Sequence, residues 1–119
     1  MNERTASSGT ESGEITSAMF HILLTLAEGD RHGYGIMQEV ERRTNGAVEL
    51  GPGTLYRSIK QLVDRGLIAE TGSERSSAKQ RRSYALTEVG RSRAKMEARR
   101  LQGLVEWAEA ARLLHGGQA

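Results

Sequence analysis

The sequence predicts a mainly α domain with a small β-hairpin: a winged helix-turn-helix followed by a C-terminal dimerisation helix. Three observations lead there. Two short helix-periodic stretches, His32 to Arg43 and Pro52 to Arg65, are separated by Thr44-Asn45-Gly46, and Asn-Gly is a strong turn signal. Two extended-type runs, Leu67 to Thr71 and Arg82 to Leu86, then flank a polar stretch and read as a hairpin. A last helical pattern starts at Thr87 and continues to about Leu114, before Gly116-Gly117.

The stretch from Pro52 to Arg65 organises the rest. Pro52 suits the first helical position, where its missing N–H costs nothing. Leu55, Ile59, Leu62 and Val63 recur at i, i+4, i+7 and i+8, the spacing of one buried face. Thr54, Arg57, Lys60 and Gln61 point the other way, with Tyr56 at the margin, so the free side is hydrogen-bonding and partly cationic. Gly51 brings no side chain to cap the start.

The remaining elements follow in order. Residues 1–14, rich in Ser, Thr, Gly and Glu, have almost nothing to bury and read as a disordered arm. Residues 15–28 form the first helix, with Ile15, Met19, Ile22, Leu23 and Leu26 on one stripe and Gly29 placed for a left-handed cap. Phe20 and Leu24 widen its apolar surface beyond one small face, which points to a contact with a partner chain. Ile36, Met37 and Val40 give the second helix its core face, while Glu39 and Glu41 are expected to face water. Ile68, Tyr84 and Leu86 are spaced to face inward from the hairpin. The stretch from Gly72 to Arg81 between the strands reads as a flexible polar loop. Thr87 is the expected N-cap of the last helix, with Glu88 suited to the positive end of the dipole. Leu101, Leu104, Ala108 and Ala111 follow a coiled-coil spacing that a projecting helix cannot bury alone. The expected organisation is thus 1–14 arm, 15–86 winged helix-turn-helix, 87–115 dimerisation helix and 116–119 flexible tail.

Composition bounds the chemistry. With 119 residues and 37% hydrophobic content, one small helical domain is expected, its core completed by self-association. The absence of cysteine excludes disulfides, thiolate metal sites and cysteine nucleophiles, and fits a cytoplasmic location. No apolar run reaches membrane-spanning length. His21, His32 and His115 lie far apart, so no metal site and no cofactor are expected. No nucleophile motif or phosphate-cradling glycine loop occurs, so the chain does not read as an enzyme. The net charge of +2 hides a gradient. Residues 1–53 hold four basic and eight acidic residues; residues 54–82 hold seven basic and three acidic. The positive charge gathers on and after the Pro52–Arg65 stretch, as a phosphate-binding surface requires.

The segment from Ile22 to Gly90 resembles the PadR family of bacterial transcriptional regulators. The segments that carry the likeness are Leu23 to Leu26, Gly29 with His32-Gly33-Tyr34-Gly35-Ile36, Gly53-Thr54-Leu55-Tyr56 through Leu62, Asp64-Arg65-Gly66-Leu67-Ile68, and Arg81 through Gly90. The single short C-terminal helix is similar to the smaller subfamily. The resemblance implies a homodimeric repressor that occupies an inverted-repeat operator and is released by a small molecule or another signal. Many relatives have Ser or Asn at the Gly51 position. Multidrug-binding relatives carry a tryptophan at the place of Leu101, whereas Trp107 lies further along the helix.

The expected DNA-contacting set is Tyr34, Thr54, Tyr56, Arg57, Lys60, Gln61, Lys79, Arg81 and Arg82. Arginine matches guanine O6 and N7 with two hydrogen bonds, and glutamine matches adenine N6 and N7. Lys79, Arg81 and Arg82 form the wing's basic run, suited to phosphate or a narrow minor groove. Tyr34 and Tyr56 combine packing with a polar tip for phosphate. The expected dimer contacts are Phe20, Leu24, Leu101, Leu104, Val105, Trp107, Ala108 and Ala111. The alternative reading is a winged helix used for protein–protein contact.

Overall fold

The computed structural model describes the backbone of residues 13–76 and 79–115, and the side chains of these apart from 73–81. The expected arm (but for Gly13 and Glu14), Ser77-Ala78 of the expected loop and the expected tail at 116–119 lie outside the described residues. Four helices, α1 (Ser17–Ala27), α2 (Gly33–Arg43), α3 (Pro52–Asp64) and α4 (Glu88–Ala110), combine with strands β1 (Arg31–His32), β2 (Ile68–Ser76) and β3 (Lys79–Leu86). The strands make one antiparallel sheet in the order β1-β3-β2.

Helix α1 starts where Thr16 can accept from the Met19 amide at 3.1 Å, leaving Ile15 outside the helix but packed against the core. Met19, Ile22, Leu23 and Leu26 are buried as their stripe predicts, and Leu24 is exposed. After α1, Gly29 adopts φ +150, a positive value open to glycine though outside the left-handed helical well. Helix α2 buries Ile36 and Val40, with Met37 partly covered. Its end carries an ionic cluster: Glu39 accepts from Arg42 and pairs with Arg43, which also reaches Glu28 at the end of α1. The Arg42 hydrogen bond holds the Glu39 carboxyl below the usual range. Glu39 is therefore engaged by cations rather than merely solvated.

Helix α3 corrects the expected inner face in one place. Leu55, Ile59 and Leu62 are buried, but Ser58 (7% exposed) completes the face and Val63 (37% exposed) does not. Ser58 and Val63 lie at opposite edges of the stripe on the wheel, beside Leu62 and Ile59 respectively, and the Ser58 edge is the one covered, so packing overrides polarity. The helix closes on a Schellman turn. Gly66 takes φ +75, its N–H donates to Val63 O, and the Leu67 N–H donates to Leu62 O at 2.9 Å. Leu67 thus belongs to the buried cap, not to a strand.

The hairpin is longer than its apolar pattern. Residues expected as loop pair in register, Gly72 with Ser83, Glu74 with Arg81 and Ser76 with Lys79, after an irregularity between Glu70 and Gly72. A ladder of backbone hydrogen bonds needs no apolar side chains, so a polar arm of the wing carries no periodic signal. Among the described residues its base enters the core, through Ile68 and Tyr84, with Leu86 half-buried. The pair β1, which the sequence reading misses, is two residues long and hydrogen-bonds to β3 opposite Tyr84 and Ser83.

Helix α4 is capped as expected: the Thr87 hydroxyl oxygen accepts from the Gly90 amide at 2.9 Å. Beyond Gly90, none of its residues is buried. It ends at Ala110, four residues before the expected Leu114. There Arg112 takes φ +67, its N–H donates to Glu109 O, and the Leu113 N–H donates to Ala108 O at 2.8 Å. This is again a Schellman turn, completed by the backbone of an arginine where glycine is usual. A side chain in the left-handed well costs about 1 kcal/mol. Arg112→Gly is accordingly expected to raise stability by roughly 0.5–1 kcal/mol, read as a higher urea midpoint; an unchanged or lower midpoint would contradict the turn.

Candidate nucleic-acid interface

Helix α3 presents its polar side outward because its apolar side is committed to α1 and the wing base. Thr54, Arg57, Lys60 and Gln61 are all exposed. Lys60 Nζ is 3.3 Å from Asp64, one turn on. Arg57 makes no hydrogen bond or ion pair among the described residues, which leaves its planar guanidinium for an external acceptor. The helix begins at Gly51 with no side-chain cap, so its first amides are also unclaimed by a side chain.

Tyr56 lies on the flank of this helix, 49% exposed. Its ring reaches the start of α2, where Gly33 leaves room: a Cβ on Gly33 would lie 2.7 Å from the Tyr56 hydroxyl oxygen. Tyr34, the next residue of α2, is exposed. Its position near the N-terminal end of α2 places it where a helix dipole favours anions.

The wing meets the same region through β1, whose residues immediately precede α2 and pair with Tyr84 and Ser83 of β3. Arg82 follows on β3, exposed, with its Nε 3.5 Å from Glu70 across the hairpin. Burial pushes the Tyr84 hydroxyl above its usual range, with Glu70 adding to the effect. Lys79 and Arg81 have backbone places opposite Ser76 and Glu74; their side chains lie outside the description. The tyrosines and Arg82 therefore cluster at the α2–wing junction, while Arg57, Lys60 and Gln61 line the outer side of α3. The carboxylates of Asp64 and Glu70, each beside a cation of the set, were not singled out from sequence; an i, i+4 Lys–Asp spacing is the signal for the first.

The apolar set expected between chains is divided. Phe20, Leu101 and Ala108 are half-buried within this chain, and Leu24, Leu104, Val105, Trp107 and Ala111 are exposed, Trp107 at 71%. On α4, Gly90, Ala94, Leu101 and Ala108 lie on one helical stripe: the face that packs on its own domain continues past the domain's edge. Among the described residues no group of His, Asp or Glu is arranged to hold a metal ion, and no helix is long and apolar enough to cross a membrane.

The chain is similar to known regulators. The model of the transcriptional regulator PadR-like family matches residues 22–96. An uncharacterised protein of Lysinibacillus sphaericus is 32% identical over 98 residues, covering 82% of this chain and 81% of that protein. Among solved structures, a transcriptional regulator from Clostridium thermocellum superposes with a TM-score of 0.68 at 24% identity, over 76% of this chain and 88% of that one. Bacillus subtilis PadR in complex with operator DNA superposes with a TM-score of 0.61 at 22% identity, over 66% of this chain and 45% of that one. At these identities the structural likeness is one of fold: a winged helix.

Proposed function

The chain belongs to the PadR-like family of transcriptional regulators, a family of transcription factors rather than enzymes, and from that premise we propose that it acts in the cytoplasm as a homodimeric repressor on an inverted-repeat operator. The observation that carries the reading is the outer side of α3: Arg57, unpaired among the described residues, beside Thr54, Lys60 and Gln61, on a helix whose other side is buried through Leu55, Ser58, Ile59 and Leu62. Such a helix enters the major groove, where Arg57 and Gln61 read base edges and Lys60 neutralises phosphate. Tyr34 and Tyr56 approach the backbone beside it, and Lys79, Arg81 and Arg82 carry the wing onto the flanking phosphates or minor groove. The dimer reading is supported by α4, about 35 Å long, which leaves Leu104, Val105, Trp107 and Ala111 exposed. Leu101 and Ala108 would complete that contact, with Phe20 and Leu24 of α1 beside it. Two recognition helices related by a two-fold axis read half-sites about one helical turn apart, and bound protein excludes polymerase from the promoter.

Selection of bound sites from random DNA tests this directly. Recovery of an inverted repeat is expected; no salt-dependent retention on DNA or heparin would instead favour a protein-contact module. Lys79→Ala is expected to weaken operator and random DNA alike and to lower the salt slope by about one. An unchanged slope across a salt titration would remove Lys79 from the interface. A thermal-shift screen for compounds that also release DNA tests for a small-molecule effector.

A further inference from the structure

We infer that Gly33 and Tyr56 form a slot and key that sets the position of α3 relative to α2 and the wing, so that Gly33 is a positioning residue for recognition. The inference rests on the DNA-binding reading above. A Cβ at Gly33 would lie 2.7 Å from the Tyr56 hydroxyl oxygen, 2.9 Å from Cε1 and 3.1 Å from Cζ. Two ring carbons and the hydroxyl oxygen inside contact distance define a fitted seat rather than a passing touch. Gly33 has no positive φ to explain its identity, and it is buried at the first position of α2. Alanine there would be favoured by helix propensity. The space it would fill is the reason for glycine.

The seat lies at a junction of three elements. His32, immediately before Gly33, pairs with Ser83, and Arg31 pairs with Tyr84 on β3. One ring from α3 therefore rests where α2 begins and where the wing strand is hydrogen-bonded. With Tyr56 seated, the outer side of α3 and the basic wing are held in one relation. With a methyl group in the seat, the half-exposed ring turns out toward water while the core of Leu55, Ile59 and Leu62 stays in place.

The test is a double-mutant cycle of wild type, Gly33→Ala, Tyr56→Ala and the double variant, read with a duplex recovered by site selection, with random duplex, and by thermal unfolding. Gly33→Ala is expected to lower operator affinity about tenfold and to reduce the ratio of operator to random binding, which a simple loss of folded protein would not change. In the Tyr56→Ala background the same substitution should cost no operator affinity, and should leave the unfolding midpoint unchanged or raise it. Wild-type affinity and ratio in Gly33→Ala, or additive losses in the double variant, would overturn the inference while leaving DNA binding intact. Failure of the wild-type protein to bind any duplex would instead sink the DNA-binding reading and this role with it.

Discussion

Gly90→Ala is expected to lower the thermal unfolding midpoint by roughly 10–20 °C, from a loss of about 3 kcal/mol. A Cβ at position 90 would lie 1.9 Å from the Leu67 carbonyl oxygen, 2.8 Å from its carbonyl carbon and 3.0 Å from Leu86 Cδ1. The first two atoms are backbone and cannot swing aside. That carbonyl also accepts from the Thr87 amide at 3.1 Å and lies 3.0 Å from the Thr87 hydroxyl, while the Leu67 amide closes the α3 turn on Leu62. Moving Leu67 to admit a methyl group would disturb the end of α3, the base of the wing and the cap of α4 together. The gain from alanine in a helix, about 1 kcal/mol, offsets only part of this. Circular dichroism at matched protein concentration reads the midpoint; a value within 2 or 3 degrees of wild type, a small shift on this scale, would show that α4 can tilt away at little cost.

Arg57→Ala is expected to weaken operator binding roughly ten- to a hundredfold and to relax preference at one base pair per half-site. The expectation follows from geometry and charge. Arg57 is exposed on the outer side of α3, and no carboxylate among the described residues competes for it. Lys60, by contrast, sits beside Asp64 and Arg82 beside Glu70, so each must exchange a partner to meet phosphate. Both pairs are exposed and individually weak. Their loss should move operator and random DNA together, unlike that of Arg57. Site selection repeated with the variant separates the cases: a preserved preference at every position, with affinity uniformly reduced, would reassign Arg57 to the phosphate backbone.

Much of this was legible in the chain. The core residues of α1 and α3 follow from apolar spacing, the α3 terminus from Gly66, and the α4 start from Thr87 and Glu88, because each signal acts within a turn or two of helix. The misses share a cause. Ser58 is buried and Val63 partly exposed because the face is set by what packs on it. The two-residue β1 is too short to show alternation, and the polar half of the wing is built by backbone pairing that side-chain patterns do not report. Arg112 ends α4 early in a conformation that residue type disfavours, so the glycines at 116 and 117 misdirect the boundary.

The sequence by itself determined the order of the four helices and the hairpin, most of the inner face of each helix and the placement of cations on and after α3, since periodicity and charge are properties of neighbours along the chain. The tertiary structure alone decided that Arg82 is engaged by Glu70, why positions 33 and 90 must lack a side chain, and how a two-residue strand ties the wing to α2. Those outcomes depend on contacts between residues on different elements of the chain, where exclusion of a single methyl group or the approach of one carboxylate leaves no mark on local pattern.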